Sequence, residues 1–97
     1  MSVTHVTPAN TPYAGKEQIT SLSTVKSLSP PQNARWAILV PEGRAIRLSL
    51  AGGTPGTPTA ADMLIGVGQP VEVTTALADV RMLEEAASAK VNVWYFG

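Results

Sequence analysis

The residues that could perform acid–base, metal or nucleophilic chemistry are few and dispersed in this sequence. His5 is the one histidine and there is no cysteine, so a His/Cys metal site and thiolate chemistry are not expected. A Ser–His–acid triad would have to recruit His5 from a terminal segment that would not hold the required geometry. Glu84 and Glu85 are adjacent, and on a strand they would point to opposite faces. We therefore expect no catalytic residue, no cofactor and no metal.

The sequence also lacks patterns that hold phosphates. Gly66-Val67-Gly68 is an isolated G-x-G with no helical segment after it, which indicates a turn between strands rather than a dinucleotide loop. Seven basic residues balance seven acidic residues, so the formal net charge is zero. Nucleic-acid binding needs a basic patch that displaces counterions, and the basic residues here are scattered. The expectation is a protein that is not an enzyme and does not bind nucleic acid.

Composition favours a chain that packs against partners. Its 97 residues suffice for one domain, whose core would be thin. Charged residues make up 14% of the chain, against about 25% in an ordinary soluble domain. A neutral surface with few charges promotes association. We find no apolar run of the roughly 18 residues that span a bilayer, and the N-terminal stretch lacks the pattern of a secretory signal.

The clearest structural pattern lies in "ARWAILVPEGRAIRLSL". Apolar residues alternate from Trp36 to Val40 and again from Ile46 to Leu50, the period of a β-strand. Pro41 and Gly43 between the two runs are typical of a turn. This pattern predicts a β-hairpin. The further predicted strands are Gln18–Ser23, a shorter one near Val25–Leu28, Met63–Ile65, Val71–Val73 and Val91–Phe96.

In all, six to eight short strands with Gly/Pro turns indicate an all-β chain, either a β-sandwich or a small barrel. The last strand is apolar on both faces, which favours burial on two sides, with Trp94, Tyr95 and Phe96 in the core near Trp36. The stretch between Leu50 and Met63, rich in Gly, Pro and Thr, is expected to cross between the sheets.

The N-terminal segment, residues 1–18, is polar and interrupted by Pro8, Pro12 and Gly15. We expect an extended arm that orders on a partner, followed by a single domain over residues 19–97. Tyr13 is the one large side chain in the arm. It either lies in water or anchors the arm on a neighbouring subunit.

From Ala34 to Phe96 the layout resembles small capsid decoration, or cement, proteins of tailed bacteriophages. The shared features are a hairpin whose second strand carries an arginine, Arg47 in "AIRLSL", then Gly53-Thr54, Pro58-Thr59 and "MLIGVG". A short strand, "VRML", a small-residue turn and an aromatic-ended strand, "KVNVWYF", close the chain. Gly52 and Asp62 depart from the pattern, which would have Asp and Gly there.

The resemblance implies a small, jelly-roll-like β-sandwich that forms a homo-oligomer and binds the major capsid protein on the outer capsid surface, after synthesis in the host cytoplasm. A trimer is expected because capsid lattices offer local three-fold sites. For the segment from Ala76 to Lys90, helix propensity favours a helix, but the resemblance favours a short strand and a turn, which we adopt. The expected interface residues are Tyr13, Arg47, Gly52, Gly53, Thr54, Pro58, Thr59 and Asp62.

Two other functions are compatible with the sequence. One is a head–tail connector or fibre-base component, which copy number would separate from a decoration protein. The other is a small ligand- or carbohydrate-binding β-sandwich, which should show an exposed aromatic beside polar groups. An exposed Trp94 would favour this last function, and a buried Trp94 would count against it.

Overall fold

The computed structural model describes residues 12–50, 62–74 and 76–97. Over these residues the chain is all-β, with eight strands and one short 3-10 turn at Leu77–Asp79. The strands are β1 (Tyr13–Ile19), β2 (Lys26–Ser27), β3 (Trp36–Glu42), β4 (Ile46–Ser49), β5 (Met63–Ile65), β6 (Val71–Val73), β7 (Arg81–Glu84) and β8 (Lys90–Phe96).

The strands form two antiparallel sheets of four strands each, consistent with a small β-sandwich. The first sheet has the order β1-β8-β3-β6 and the second has the order β2-β7-β4-β5. In the first sheet β8 pairs with β1 on one side and with β3 on the other. The predicted all-β class is therefore confirmed, as are the predicted strands β5 and β6 at their stated bounds.

The core lies between the sheets and is built by strand alternation. Leu39 and Val93 from the first sheet and Leu48 and Met82 from the second are each at most 1% exposed. Successive side chains on a strand point to opposite faces, so every second residue of these strands reaches the core. Burying one such side chain contributes roughly 1.5–3 kcal/mol, which makes this shared core the main stabilising element.

The predicted hairpin between β3 and β4 is wrong. Both strands exist, but β3 pairs with β6 and β8, whereas β4 pairs with β5 and β7. The turn after Glu42 therefore carries the chain from the first sheet to the second. Gly43 has φ +84°, and a Cβ there would lie 2.7 Å from the Ser88 carbonyl oxygen. Alternation predicts where a strand runs; it does not identify the pairing partner.

The Gly/Pro/Thr-rich stretch was expected to cross between sheets, and this expectation is also wrong. It joins β4 to β5, and these two strands are neighbours in the second sheet, with Leu48 opposite Met63. Residues 51–61 themselves lie outside the described residues. The pairing of β4 with β5 shows that the stretch returns to the same sheet, because the two strands share a ladder of backbone hydrogen bonds.

The segment from Ala76 to Lys90 adopts the strand interpretation rather than the helical one. After the 3-10 turn, β7 pairs with β4 along its whole length, and a turn leads to β8. Val80 and Met82 are fully buried, and burial of every second residue is typical of a strand. Tertiary pairing with β4 overrides the helix propensity of this stretch.

The N-terminal part of the described chain is a strand in the first sheet. β1 pairs with β8 from Tyr13 opposite Phe96 to Ile19 opposite Val91, with an irregularity between Tyr13 and Gly15. Residues 13–18, assigned to the arm by sequence, thus belong to the sheet, and the strand predicted at Gln18–Ser23 begins and ends earlier. The polar outer side of this edge strand concealed its alternation. Residues 1–11 lie outside the described residues.

Candidate functional site

The outward surface of the first sheet carries exposed aromatic and amide side chains from neighbouring strands. On β8, Val91, Val93 and Tyr95 point into the core, so Asn92 and Trp94 project outward. The register places Lys16 of β1 beside Trp94 and Gln18 beside Asn92. The Trp94 face, as we name it, consists of Tyr13, Lys16, Gln18, Glu42, Asn92 and Trp94.

Two aromatic rings form a corner on this face. Trp94 is 49% exposed and Tyr13 is 54% exposed. Their ring centroids are 5.5 Å apart with an interplanar angle of 56°. The Lys16 ammonium lies 5.7 Å from the centroid of the Trp94 ring, a distance at which a cation is attracted by the ring. An apolar surface is therefore presented to solvent beside one positive charge.

A row of polar groups continues the face along the strands. The Gln18 side-chain amide donates to the Asn92 carbonyl oxygen at 2.9 Å, and the Asn92 amide donates to the Glu42 carboxylate at 2.9 Å. These two bonds fix the orientation of both amides. A shallow groove beside this row is lined by Lys16, Glu17, Gln18, Asn92 and Trp94.

The prediction that Trp94 packs in the core is wrong, whereas Tyr95 and Phe96 are buried as expected. Phe96 stacks on Trp36, with centroids 4.6 Å apart and an interplanar angle of 27°. The sequence did contain the signal that would have placed Trp94. Asn92, a polar residue between two valines, marks the outward side of β8, and Trp94 has the same parity. Exposure of Trp94 is the observation that favours a ligand-binding surface.

Tyr13 was expected to lie either in water or against a neighbouring subunit, and its side chain is in fact partly exposed and partly packed on its own chain. Its ring contacts Trp94 and also lies 6.2 Å from Phe96, edge to face, within the same chain. It is still more than half exposed, so it retains surface for an additional contact. A role for Tyr13 in a subunit interface stays a prediction.

Arg47, a second predicted interface residue, makes contacts inside its own chain. Its Nε donates to the Glu85 carboxylate at 2.7 Å, and a terminal nitrogen lies 3.4 Å from the Asp62 carbonyl oxygen. The guanidinium therefore ties β4 to the turn after β7 and to the residue before β5. Its planar donors suit such a two-point contact.

The predicted interface residues are only partly brought together. Asp62 lies beside Arg47 on the second sheet, while Tyr13 lies on the first sheet. The remaining predicted residues are outside the described part of the chain: Gly52, Gly53, Thr54, Pro58 and Thr59.

A second exposed surface, not predicted from sequence, lies at the edge of the second sheet. We call it the β5 edge and define it by Leu50, Met63, Leu64 and Val67, which are between 41% and 58% exposed. β5 is the terminal strand of its sheet. Met63 and Leu64 are consecutive, so apolar groups are exposed on both sides of the strand. The uninterrupted "MLI" was the available signal.

One polar contact ties β8 to β1 at the margin of the core. The Tyr95 hydroxyl donates a hydrogen bond to the Glu17 carboxylate, which also accepts the Ser29 backbone N–H at 2.9 Å. Burial raises the pKa of the Tyr95 hydroxyl well above its usual value, and the hydrogen bond to Glu17 and the negative charge of Glu17 raise it further. These contacts hold the phenol neutral, as suits a structural group.

Within the described ranges, no three His, Cys, Asp or Glu residues are grouped so as to hold a metal ion. The same ranges contain no helix long and apolar enough to cross a membrane. No protein-family model matches this chain, and neither the curated proteins nor the solved structures provide a match.

Proposed function

We propose that this chain is a structural virion protein of a tailed bacteriophage. It binds the outer capsid surface as a decoration, or cement, protein and bridges neighbouring major capsid subunits. It is not an enzyme and acts as a homo-oligomer, with a trimer as the proposed state. The observation that carries this proposal is the β5 edge, because it offers an apolar surface suited to a protein contact.

The β5 edge has few of the features that prevent an edge strand from pairing with another chain. Monomeric proteins protect such edges with charged side chains, proline or bulges. β5 itself, "MLI", contains neither charge nor proline, and Met63 and Leu64 are both nearly half exposed. An exposed apolar patch at a sheet edge is typical of a protein interaction surface. Covering it with a second copy or with the shell protein would stabilise the assembly.

Charge supports the same conclusion. The chain has no net charge and only 14% charged residues, so it lacks the self-repulsion that keeps small proteins apart. A subunit that spends its working life in contact with others has less need of that repulsion. Charge is thus consistent with assembly, and it carries no information about which partner is bound.

The strand order supports a finer proposal, that the sandwich is a jelly roll. Consecutive strands change sheets at every step except from β4 to β5, giving the orders β1-β8-β3-β6 and β2-β7-β4-β5. Two such interleaved four-stranded sheets correspond to a pair of Greek keys, an architecture that includes viral capsid domains. One fold serves many functions, and a jelly roll is compatible with a virion role.

The first test is the copy number of this chain relative to the major shell protein, measured by quantitative mass spectrometry of purified particles from its source. Copies comparable to the shell protein would support decoration. A handful of copies would contradict it in favour of a head–tail connector or fibre base. Complete absence from the particles would overturn the virion proposal.

The second test addresses assembly through the β5 edge. Leu64→Glu places a charge on the exposed strand, and Lys26→Glu on β2, at the opposite edge of the same sheet, is the matched control. We expect sedimentation velocity to show an oligomer for the unmodified chain and the control, and a monomer for Leu64→Glu. Equal oligomerisation of both variants would remove the β5 edge from the interface.

A further inference from the structure

We propose that the Trp94 face is a binding site for a neutral saccharide. This inference does not rest on the decoration role, because it concerns the outer surface of the other sheet. Its occupant is a sugar chain whose ring lies against Trp94 and whose hydroxyl groups bond to the row of amides. Three properties of the face lead to this chemistry.

The first property is a rigid apolar surface at a fixed position. A sugar ring has one face of C–H groups, which packs against an aromatic ring as other apolar surfaces do. Trp94 lies on β8, which is paired on both sides along its length, so its backbone is held in place before any ligand arrives. Pre-organisation of this kind lowers the entropy lost on binding. Ile38 lies beside Trp94 on β3 and Tyr13 lies on the other side, so the indole is flanked by apolar groups.

The second property is a mixture of donors and acceptors beside the ring. A sugar hydroxyl both donates and accepts, and side-chain amides match it because each carries two N–H donors and a carbonyl acceptor. Gln18 and Asn92 each donate one N–H within the row, leaving a second N–H on each amide for a ligand. The Glu42 carboxylate at the end of the row adds an acceptor. The orientation of the amides is set by their mutual bonds, which favours specificity.

The third property is charge. The outer surface of this sheet carries the ammonium groups of Lys16 and Lys90 and the carboxylates of Glu42 and Glu72, with Glu17 lining the groove. It therefore provides no net attraction for an anion. Phosphate or nucleic-acid ligands require several cations that displace counterions. A second copy of the chain is a poorer match than a sugar, because the apolar surface suited to a protein lies at the β5 edge.

Lys16 does not obstruct the site. Its ammonium lies over the Trp94 ring, but its side chain is on an exposed strand position, where such an interaction is weak. Exposed side chains exchange rotamers within nanoseconds. The ring can therefore be uncovered without moving the strand, and the ammonium can then donate to a sugar hydroxyl.

The test is isothermal titration of the intact chain with neutral oligosaccharides of different linkage: maltohexaose, cellohexaose, chitohexaose and a mannohexaose. We expect at least one to bind saturably, and Trp94→Ala to weaken that binding about tenfold or more. Gln18→Ala should weaken it by a smaller factor. Lys26→Ala is the matched control, because Lys26 lies on β2 of the second sheet, outside both the Trp94 face and the β5 edge; it should leave the affinity unchanged.

A spectroscopic measurement separates binding from unfolding. The chain has two tryptophans, so Trp36→Phe leaves Trp94 as the sole indole, and its fluorescence should shift as the sugar binds. Circular dichroism of each variant establishes that the fold is retained.

Three results would overturn the inference. They are the absence of saturable binding of every oligosaccharide up to about 10 mM, binding of a single-stranded oligonucleotide with steep salt dependence, and dissociation of an oligomer by Trp94→Ala. The copy number of the chain in particles is measured independently of these three results. Failure of this site and failure of the virion proposal are therefore distinguishable.

Discussion

The two sheets have equal numbers of strands and differ in how those strands are held. In the first sheet β1, β3 and β8 are seven residues long, whereas the strands of the second sheet have two to four residues. Long central strands fix the side chains of the first sheet through many backbone bonds. The second sheet gains support from the ion pair between Arg47 and Glu85.

The outer surfaces of the two sheets also differ. The first sheet presents an aromatic corner and oriented amides on a well-paired strand, which suits recognition of a small polar ligand. The second sheet ends in the apolar β5 edge, which suits coverage by a protein. The comparison teaches that a small β-sandwich can separate two contact surfaces by placing them on opposite layers, while both layers share one core.

The largest loss of stability is expected when a core side chain is shortened, and this change tests whether the two sheets share one core. Leu39→Ala in the first sheet and Leu48→Ala in the second each remove a side chain that is 1% exposed. Each should lower the free energy of unfolding by about 2–5 kcal/mol, because a buried cavity is created. Urea unfolding followed by tryptophan fluorescence and by circular dichroism should give one coincident transition for both variants. Separate transitions would show that the two sheets unfold independently.

A second prediction concerns the crossing from the first sheet to the second at Gly43. Gly43→Ala should destabilise the chain by about 2 kcal/mol or more, because φ is positive and the new Cβ would meet the Ser88 carbonyl oxygen. Gly68→Ala is the matched control: its φ is +77° but no atom lies within 4 Å of the added Cβ, so only the backbone cost of about 1–2 kcal/mol is expected. Thermal melting of both variants measures the difference, and equal losses would argue against the close crossing.

The third prediction concerns the contact between Tyr95 and Glu17 in the first sheet. The pKa of Tyr95 is raised in the folded chain by burial and by Glu17, so above about pH 10 the unfolded phenol loses its proton while the folded phenol keeps it. Stability should therefore fall as pH rises above about 10, by up to about 1.4 kcal/mol per pH unit from this group.

Tyr95→Phe tests this assignment. Loss of the hydroxyl should lower stability near pH 7 by about 1–2 kcal/mol, and should flatten the alkaline loss relative to the unmodified chain. Denaturant midpoints measured at pH 8 and pH 11 provide the comparison. Tyr13→Phe is the control, because it removes an exposed phenol hydroxyl and leaves the contact between Tyr95 and Glu17 intact. Parallel profiles for Tyr95→Phe and the unmodified chain would refute the role of Tyr95.

The smallest effect is expected for the ion pair between Arg47 and Glu85 in the second sheet. The side chains of Arg47 and Glu85 are 21% and 46% exposed, and pairs this accessible contribute about 0.2–1 kcal/mol. A double-mutant cycle with Arg47→Met and Glu85→Gln should give a coupling in that range, decreasing as salt is added. A coupling above that range would show that the second sheet depends on this pair far more than its exposure indicates.

Much of the local structure was predictable from residue order. Period-2 alternation located β3, β4 and β8, and Gly/Pro turns bounded β5 and β6 at their observed limits. The strand after Val80 needed more than propensity, since "ALADVRMLEEAASAK" favours a helix in isolation. Pairing with β4 decides it, because the backbone bonds and burial of Met82 outweigh a weak local preference.

The candidate surfaces were less accessible to sequence reasoning. Arg47 was singled out for an external contact, but Glu85 lies 38 positions away and only the fold brings it near. Trp94 was placed in the core because both parities of the last strand look apolar. Its exposure depends on which face of β8 the second sheet covers, and that is a property of the sandwich.

By itself, the sequence determined the all-β class, the position of most strands and the scarcity of charged and catalytic groups, because these depend on composition and on alternation over a few residues. The tertiary structure alone decided that β3 and β4 part into different sheets, that Tyr13–Gln18 joins β8, and that Trp94 faces outward beside Gln18 and Asn92. Strand pairing is set by contacts between residues far apart in the chain, and no local pattern specifies which distant partner completes the hydrogen bonds.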